Sequence, residues 1–263
     1  MSGSGARGSF EGRAFLVTGG ASGIGLAVAR LALQRGAAVA IADRDAEALE
    51  RAALALRETA GAAGRMLALR CDVSQGAQVD AAVAQAATGL GHLDALVNAA
   101  GVDHMQPLDQ IDDSEWARTL AVNLTGPMMV CRAALPHLRQ AGGATIVNIA
   151  SAAGLVPLPG RSAYCATKAG LIMFGKALAM ELAADGIRVN SVCPGAVDTP
   201  LFRTSYENAP DPEAGLQKIR DRYALRRIAG PDELAEAVLY LSSDASSYVS
   251  GTAHAVDGGR SYH

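Results

Sequence analysis

The sequence predicts a doubly wound α/β domain in which helices cover both faces of a parallel sheet. Three observations predict it. Short aliphatic runs alternate with longer helical patterns from the first strand to about residue 195, the rhythm of right-handed strand–helix–strand crossovers. The strand runs are almost continuously apolar, as they must be when both faces of a sheet are covered. Half of the 263 residues are hydrophobic, 19% are charged and only 4% are aromatic, with alanine and glycine prominent. Thin side chains of that kind let helices lie close on a sheet and suit a large core.

The elements follow in order. Ala14–Thr18 reads as the first strand, with a helix over 23–35 behind it. The next strand is 38–42 and its helix Ala46–Ala60. Further strands fall at 66–71, Ala95–Asn98, Thr145–Ile149 and 188–192, with helical stretches between them. Residues 200–227 break the rhythm with Pro210, Pro212 and a cluster of charges. Such a late irregular insertion is expected to be a substrate loop. Helical periodicity returns over 232–241, and 252–256 reads as a seventh strand. The expected organisation is a flexible tail at 1–10 and one domain over 11–263. No repeat or interdomain linker interrupts it.

A net charge of −3 offers no global attraction to nucleic acid or to an anionic membrane. The most apolar long stretch, 171–184, contains Lys176 and Glu181, so it is not expected to span a bilayer. No apolar leader opens the chain, and a cytoplasmic location is the expectation. Cys71, Cys131, Cys165 and Cys193 show no metal-ligand spacing. They read as reduced, buried small hydrophobes, and no metal site is expected.

Directly after the first strand stands Thr18-Gly19-Gly20-Ala21-Ser22-Gly23-Ile24-Gly25, followed by a helix. A strand turning tightly into a helix aims free backbone N–H groups and the positive end of the helix dipole at one point. Glycines there let a pyrophosphate approach the backbone. No lysine follows the last glycine, so a loop for nucleoside triphosphates is excluded. Asp43, at the end of the second strand, is placed to accept hydrogen bonds from ribose hydroxyls and to repel a 2′-phosphate. Arg44 beside it could hold such a phosphate. The glycine loop carries no basic residue, which favours NAD over NADP.

Tyr164 and Lys168 lie four residues apart in a helical segment, one turn apart on a face shared with Leu171, Gly175, Leu178 and Leu182. A cation in line with an apolar stripe is costly unless it has a task. Lowering a phenol from a pKa of about 10 to near 7 needs about 4 kcal/mol, at about 1.36 kcal/mol per unit. A nearby ammonium is expected to supply part of it. The phenol could then exchange a proton with an alcohol as hydride leaves its carbon. Ser162 reads as the cap of this helix.

Together, TGxxxGxG and Tyr164-x-x-x-Lys168 resemble the signature of the short-chain dehydrogenase/reductase family in its single-domain form. The resemblance implies a Rossmann-type seven-stranded sheet, and it extends along nearly the whole chain. It adds Ser151, thirteen residues before the tyrosine, as a holder of the substrate oxygen. It also adds Asn123 as part of a proton relay through water to Lys168. Cys71-Asp72-Val73 resembles the family's adenine-contacting turn, which implicates Asp72 and Val73. Asn98-Ala99-Ala100-Gly101 replaces the usual NNAG but keeps Asn98 as a cofactor contact. Pro194-Gly195-Ala196-Val197-Asp198-Thr199 resembles the segment that orients the nicotinamide carboxamide, through Val197 and Thr199. Val256-Asp257-Gly258-Gly259 resembles the family's C-terminal turn.

The implied activity is hydride transfer between NAD(H) and a secondary alcohol or ketone, in a homotetramer. The alternatives are an NADPH-dependent ketone or 3-oxoacyl-carrier-protein reductase, a sugar-nucleotide epimerase and a non-catalytic dinucleotide sensor. His104, Pro157, Leu158, Phe202 and Tyr206 are the expected pocket residues. They suit a cyclic or hydrophobic alcohol.

Overall fold

The computed structural model describes residues 9–61, 64–207 and 210–262. Residues 1–8, most of the expected tail, lie outside them. Among the described residues, seven strands form one sheet: β1 (Ala14–Thr18), β2 (Ala38–Asp43), β3 (Met66–Arg70), β4 (Ala95–Asn98), β5 (Thr145–Ile149), β6 (Arg188–Pro194) and β7 (Ala253–Val256). Their order is β3-β2-β1-β4-β5-β6-β7, and every neighbouring pair is parallel. The chain winds outward from β1 to β3, then returns to place β4 on the other side of β1. Val17 therefore sits between Ile41 and Val97. Where the winding reverses, the loops leaving β1 and β4 diverge and open a crevice at the carboxyl ends of the strands.

The helices are α1 (Gly23–Gln34), α2 (Ala46–Ala60), α3 (Gly76–Leu90), α4 (Asp113–Leu120), α5 (Gly126–Ala141), α6 (Ser162–Glu181), α7 (Pro200–Arg203), α8 (Pro212–Arg220) and α9 (Pro231–Ser242). Alternation along each strand divides the core. Phe15, Val17, Val39, Ile41 and Val97 meet α1, α2 and α9 on one face. Ala14, Leu16, Ala38, Ala40, Leu96 and Ile146 meet α3, α5 and α6 on the other. The sheet is thus apolar on both sides, which is why its strands show no polar alternation.

Three expectations, on residues 200–227, Ser162 and Cys165, are corrected. Residues 200–227 are not irregular throughout, because α7 and α8 both form there. Each opens on a proline, with Thr199 and Asp211 accepting from the backbone N–H groups of Phe202 and Ala214 at 3.2 and 3.0 Å. A side-chain cap followed by proline is a helix start, and it overrides the impression of a loop. Ser162 makes no cap hydrogen bond; it is the first residue of α6, and Arg161 holds the cap position. Asn123 lies in a π-helical turn, Ala121–Thr125, joining α4 to α5. Cys71, Cys131 and Cys193 are buried free thiols, but Cys165 is only half-buried.

Candidate active site

A cleft of about 540 Å³ opens above the carboxyl ends of the strands. At one end it is lined by Gly19, Ser22, Gly23, Ile24, Gly25, Asp43, Asp72 and Val73, and at the other by Ser151, Tyr164 and Lys168. Val197 and Thr199 line it between β6 and α7.

The loop after β1 is built for close approach. Gly19 has φ +65°, and a Cβ there would stand 2.6 Å from the Ala100 nitrogen. A Cβ on Gly25 would stand 2.2 Å from the Gly19 carbonyl oxygen, inside any permitted contact. Helix α1 then begins without a side-chain cap: Ser22 makes none, and no acid occupies the first turn. Free N–H groups and an uncompensated dipole face the cleft, which is the donor set a pyrophosphate requires. Asp43 braces the loop by accepting from the Ala21 N–H at 3.2 Å and also lines the cleft. Asp72 accepts from the Ser74 N–H and hydroxyl at 2.9 and 2.7 Å. Burial works to raise its carboxyl, but those bonds and the charges of Arg44 and Arg118 outweigh it and hold the pKa below the ordinary value. The loop, the bare helix end and the two aspartates fit a dinucleotide.

At the reactive end, α6 carries both Tyr164 and Lys168. Lys168 is buried, with its Nζ donating to the Ile149 carbonyl at 2.8 Å and lying 5.6 Å from the centre of the Tyr164 ring. That carbonyl is the partner that makes a buried cation tolerable. Ser151 follows β5 by two residues, and its Oγ accepts from the Ala153 N–H at 3.0 Å. Asn123 is fully buried. Its Oδ1 accepts from the Val102 N–H at 2.9 Å, and its Nδ2 donates to the Val102 carbonyl and the Thr167 hydroxyl at 2.8 and 3.2 Å. Its amide therefore ties the π-turn to the chain after β4. A Cβ on Gly101 would lie 3.5 Å from Asn123 Oδ1 and 3.6 Å from Lys168 Nζ, so this glycine keeps open the space between them.

The protein's own groups hold the phenol protonated. Burial holds the Tyr164 phenol above its ordinary value, and the Asp103 carboxylate adds to that, against the opposing influence of the Ser151 hydroxyl. The Lys168 ammonium donates to the Ile149 carbonyl and stands 5.6 Å from the centre of the Tyr164 ring. Burial lowers the pKa of Lys168 itself to about 8, with Asp103 opposing. Asp103 faces Arg161 across 3.1 Å. Burial raises the Asp103 carboxyl, and the charges of Arg161 and Lys168 oppose that rise.

Not every expected residue reaches the cleft. Asn98 is buried beneath it, donating to Asn148 Oδ1 at 2.9 Å and to Cys131 Sγ at 3.4 Å. It shares the parity of Leu96 along β4 and so points at α5. Leu158 and Phe202 line the cleft, whereas His104, Pro157 and Tyr206 do not. His104 is half-exposed, 3.5 Å from Glu115. Tyr206 packs its ring on Phe202 at 5.4 Å.

A family profile described as enoyl-(acyl carrier protein) reductase matches residues 19–261. Cis-4-hydroxycyclohexanecarboxylate dehydrogenase of Sinomonas cyclohexanicum is 42% identical over 95% of this chain and 97% of its own. The 2-(S)-hydroxypropyl-CoM dehydrogenase 3 of Xanthobacter autotrophicus is 38% identical over 92% of this chain and 94% of its own. The crystal structure of levodione reductase superposes with a TM-score of 0.92 at 31% identity, covering 96% of this chain and 98% of that one. The chain belongs to the short-chain dehydrogenase/reductase family.

As a short-chain dehydrogenase it is an oxidoreductase that uses a nicotinamide dinucleotide. The same cleft also contains residues that the motifs did not single out. Asp103 and Arg161 are paired although 58 positions apart, and a single sequence carries no sign of such a contact. Lys218, Arg222, Tyr223 and Arg260 line the cleft as well. For Gly215, Lys218, Ile219 and Arg222 a helical spacing was present in the sequence, hidden by the reading of 200–227 as a loop.

Proposed function

We propose that the protein is an NAD-dependent dehydrogenase of secondary alcohols, acting reversibly on the corresponding ketones. The observation that carries this reading is convergence: Ser151, Tyr164 and Lys168 line the same cleft as the bare N-terminus of α1 and Asp43. In this reading Asp43 and a glycine loop without basic residues favour NAD over NADP. The relatives named as dehydrogenases of hydroxy compounds support the reaction type, and the cyclohexane ring in the name of one supports a cyclic alcohol.

The nicotinamide, when bound, supplies the acceptor for the hydride that leaves the carbinol carbon. The chain does the rest. Ser151 Oγ and the Tyr164 hydroxyl hold the substrate oxygen between them. During oxidation Tyr164 receives the hydroxyl proton as the C–O bond becomes a carbonyl. During ketone reduction it returns that proton to the carbonyl oxygen. A phenol raised by burial is protonated throughout the neutral range, which suits the reductive direction at once. To act as a base it needs positive charge brought near, which Lys168 and the oxidised coenzyme provide together. Lys168 keeps its place through the Ile149 carbonyl, and Asn123 holds the wall beside the gap at Gly101, where a water could pass protons onward. Residues of α7 and α8 line the cleft and serve the substrate. A cytoplasmic homotetramer belongs to the same reading, on the family resemblance; sedimentation at four chain masses would support the assembly.

Tyr164→Phe is the test. The variant is expected to lose turnover by at least a hundredfold, the scale of a general acid–base contribution, while still binding NADH. Turnover at the wild-type rate would remove Tyr164 from the chemistry.

A further inference from the structure

The substrate end of the cleft carries charges that hydride transfer does not require. Helix α8 and the turn after it lay one stripe along the cavity, Gly215, Lys218, Ile219 and Arg222, at the spacing of a single helical face. Arg260, from the segment after β7, lines the same end and donates through Nη2 to the Pro157 carbonyl at 3.4 Å. Arg222 and Arg260 both bear on the Tyr223 phenol, where burial raises the pKa, the Ala196 backbone and these guanidinium groups oppose it, and Asp257, which is held by the Gly259 and Ser261 N–H groups, adds to the rise. Tyr223 in turn lies where a side chain on Gly195 would fall, at the end of β6. These links tie Arg222 and Arg260 to the loops after β5 and β6, the side of Ser151 and Tyr164, and Lys218 stands one helical turn before Arg222. The glycine loop and Asp43 stand at the other end.

The neighbouring acids are engaged elsewhere. Glu213 is 3.0 Å from Arg220, Asp198 is 2.8 Å from Arg203 and Asp221 is 3.7 Å from Arg226. The acid that lines this end, Asp103, faces Arg161. Among the described residues, no carboxylate pairs with Lys218, Arg222 or Arg260. Several like charges in a walled cleft focus a positive potential where the substrate enters, and guanidinium groups match the geometry of a carboxylate.

We propose that Lys218, Arg222 and Arg260 receive a carboxylate on the substrate, which makes the preferred alcohol a hydroxy acid rather than a neutral alcohol. This rests on the dehydrogenase reading above and adds the substrate class to it. Arg161 is balanced by Asp103 and stays out of the anion site. The three cations serve the substrate and not the coenzyme pyrophosphate, for which the N-terminus of α1 already provides donors.

The test uses two ligands that cannot be oxidised, cyclohexanecarboxylate and cyclohexanecarboxamide, titrated by calorimetry into the enzyme–NADH complex. The carboxylate is expected to bind at least tenfold more tightly than the amide. Lys218→Gln with Arg222→Gln should narrow that ratio about tenfold, the combined effect of two partly exposed charge pairs. Arg260→Gln should narrow it in the same direction, and the NADH affinity of each variant reports intact folding. Equal binding of the two ligands, or a ratio that the substitutions leave unchanged, overturns the proposal. So does a loss that falls on NADH instead. Selective carboxylate binding in an enzyme that oxidises neither hydroxy acids nor neutral alcohols would uphold the anion site and sink the dehydrogenase reading, so the two fail separately.

Discussion

Gly25→Ala adds one methyl group where the backbone of Gly19 already stands. The new Cβ would lie 2.2 Å from the Gly19 carbonyl oxygen and 2.8 Å from its carbonyl carbon. Ordinary contact begins near 3.4 Å, so the loop after β1 must retreat by about 1.2 Å. Neither group is the end of a flexible side chain, so the backbone itself has to move. Overpacking of this kind costs about 1–3 kcal/mol. For a chain of this length that corresponds to a fall in Tm of about 5 °C. The same retreat pulls the loop N–H groups out of hydrogen-bonding range of a pyrophosphate. Losing the net worth of one or two such bonds to a charged group, about 2 kcal/mol, weakens coenzyme binding about thirtyfold. Fluorescence titration with NADH reads the affinity, and scanning calorimetry reads the Tm. An NADH affinity within twofold of wild type, in a variant whose Tm has fallen, would show that the coenzyme does not sit on this loop.

Two further outcomes are expected. Asp43→Ala should raise the use of NADP relative to NAD by about tenfold, because the carboxylate that repels a 2′-phosphate is gone. A coenzyme ratio equal to that of wild type would remove Asp43 from the specificity argument. Lys168 should leave a mark on stability against pH in the coenzyme-free protein. Its folded pKa is lowered to about 8 from an ordinary 10.5, so between those values the unfolded chain holds the proton that the folded chain has lost. Stability must then rise with pH across that window, and below pH 8 the buried charge is a standing cost. Between pH 8 and 10 the wild type should gain about 2 kcal/mol relative to Lys168→Met in urea unfolding. Parallel curves for the two proteins would mean that Lys168 is not perturbed by burial.

The strands were legible because a sheet covered on both faces must be written in apolar runs, and Ala14–Thr18 and Thr145–Ile149 are fully buried in the structure. The pair Tyr164 and Lys168 was legible because a four-residue spacing survives any helix. The direction of the Asn98 side chain follows from a rule that was available. Alternation along β4 puts it with Leu96, on the face of α5, and not at the crest of the sheet. The helices α7 and α8 were hidden behind their own start signals, since proline and charge suggested a loop when a cap stood before each proline. The phenol's environment lay beyond the sequence, because it depends on where a lysine points. Lys168 turns to a carbonyl nineteen residues away in the chain, and Asp103 arrives from the segment after β4.

The most direct measurement is a crystal structure of the enzyme with NADH and an unreactive analogue of a secondary alcohol. The expected result places the oxygen of the analogue within about 3 Å of both the Tyr164 hydroxyl and Ser151 Oγ, beside the nicotinamide ring. A nicotinamide bound at the far end of the cleft from Tyr164, or an analogue oxygen held by other groups, would contradict the assignment of Tyr164 as the acid and base.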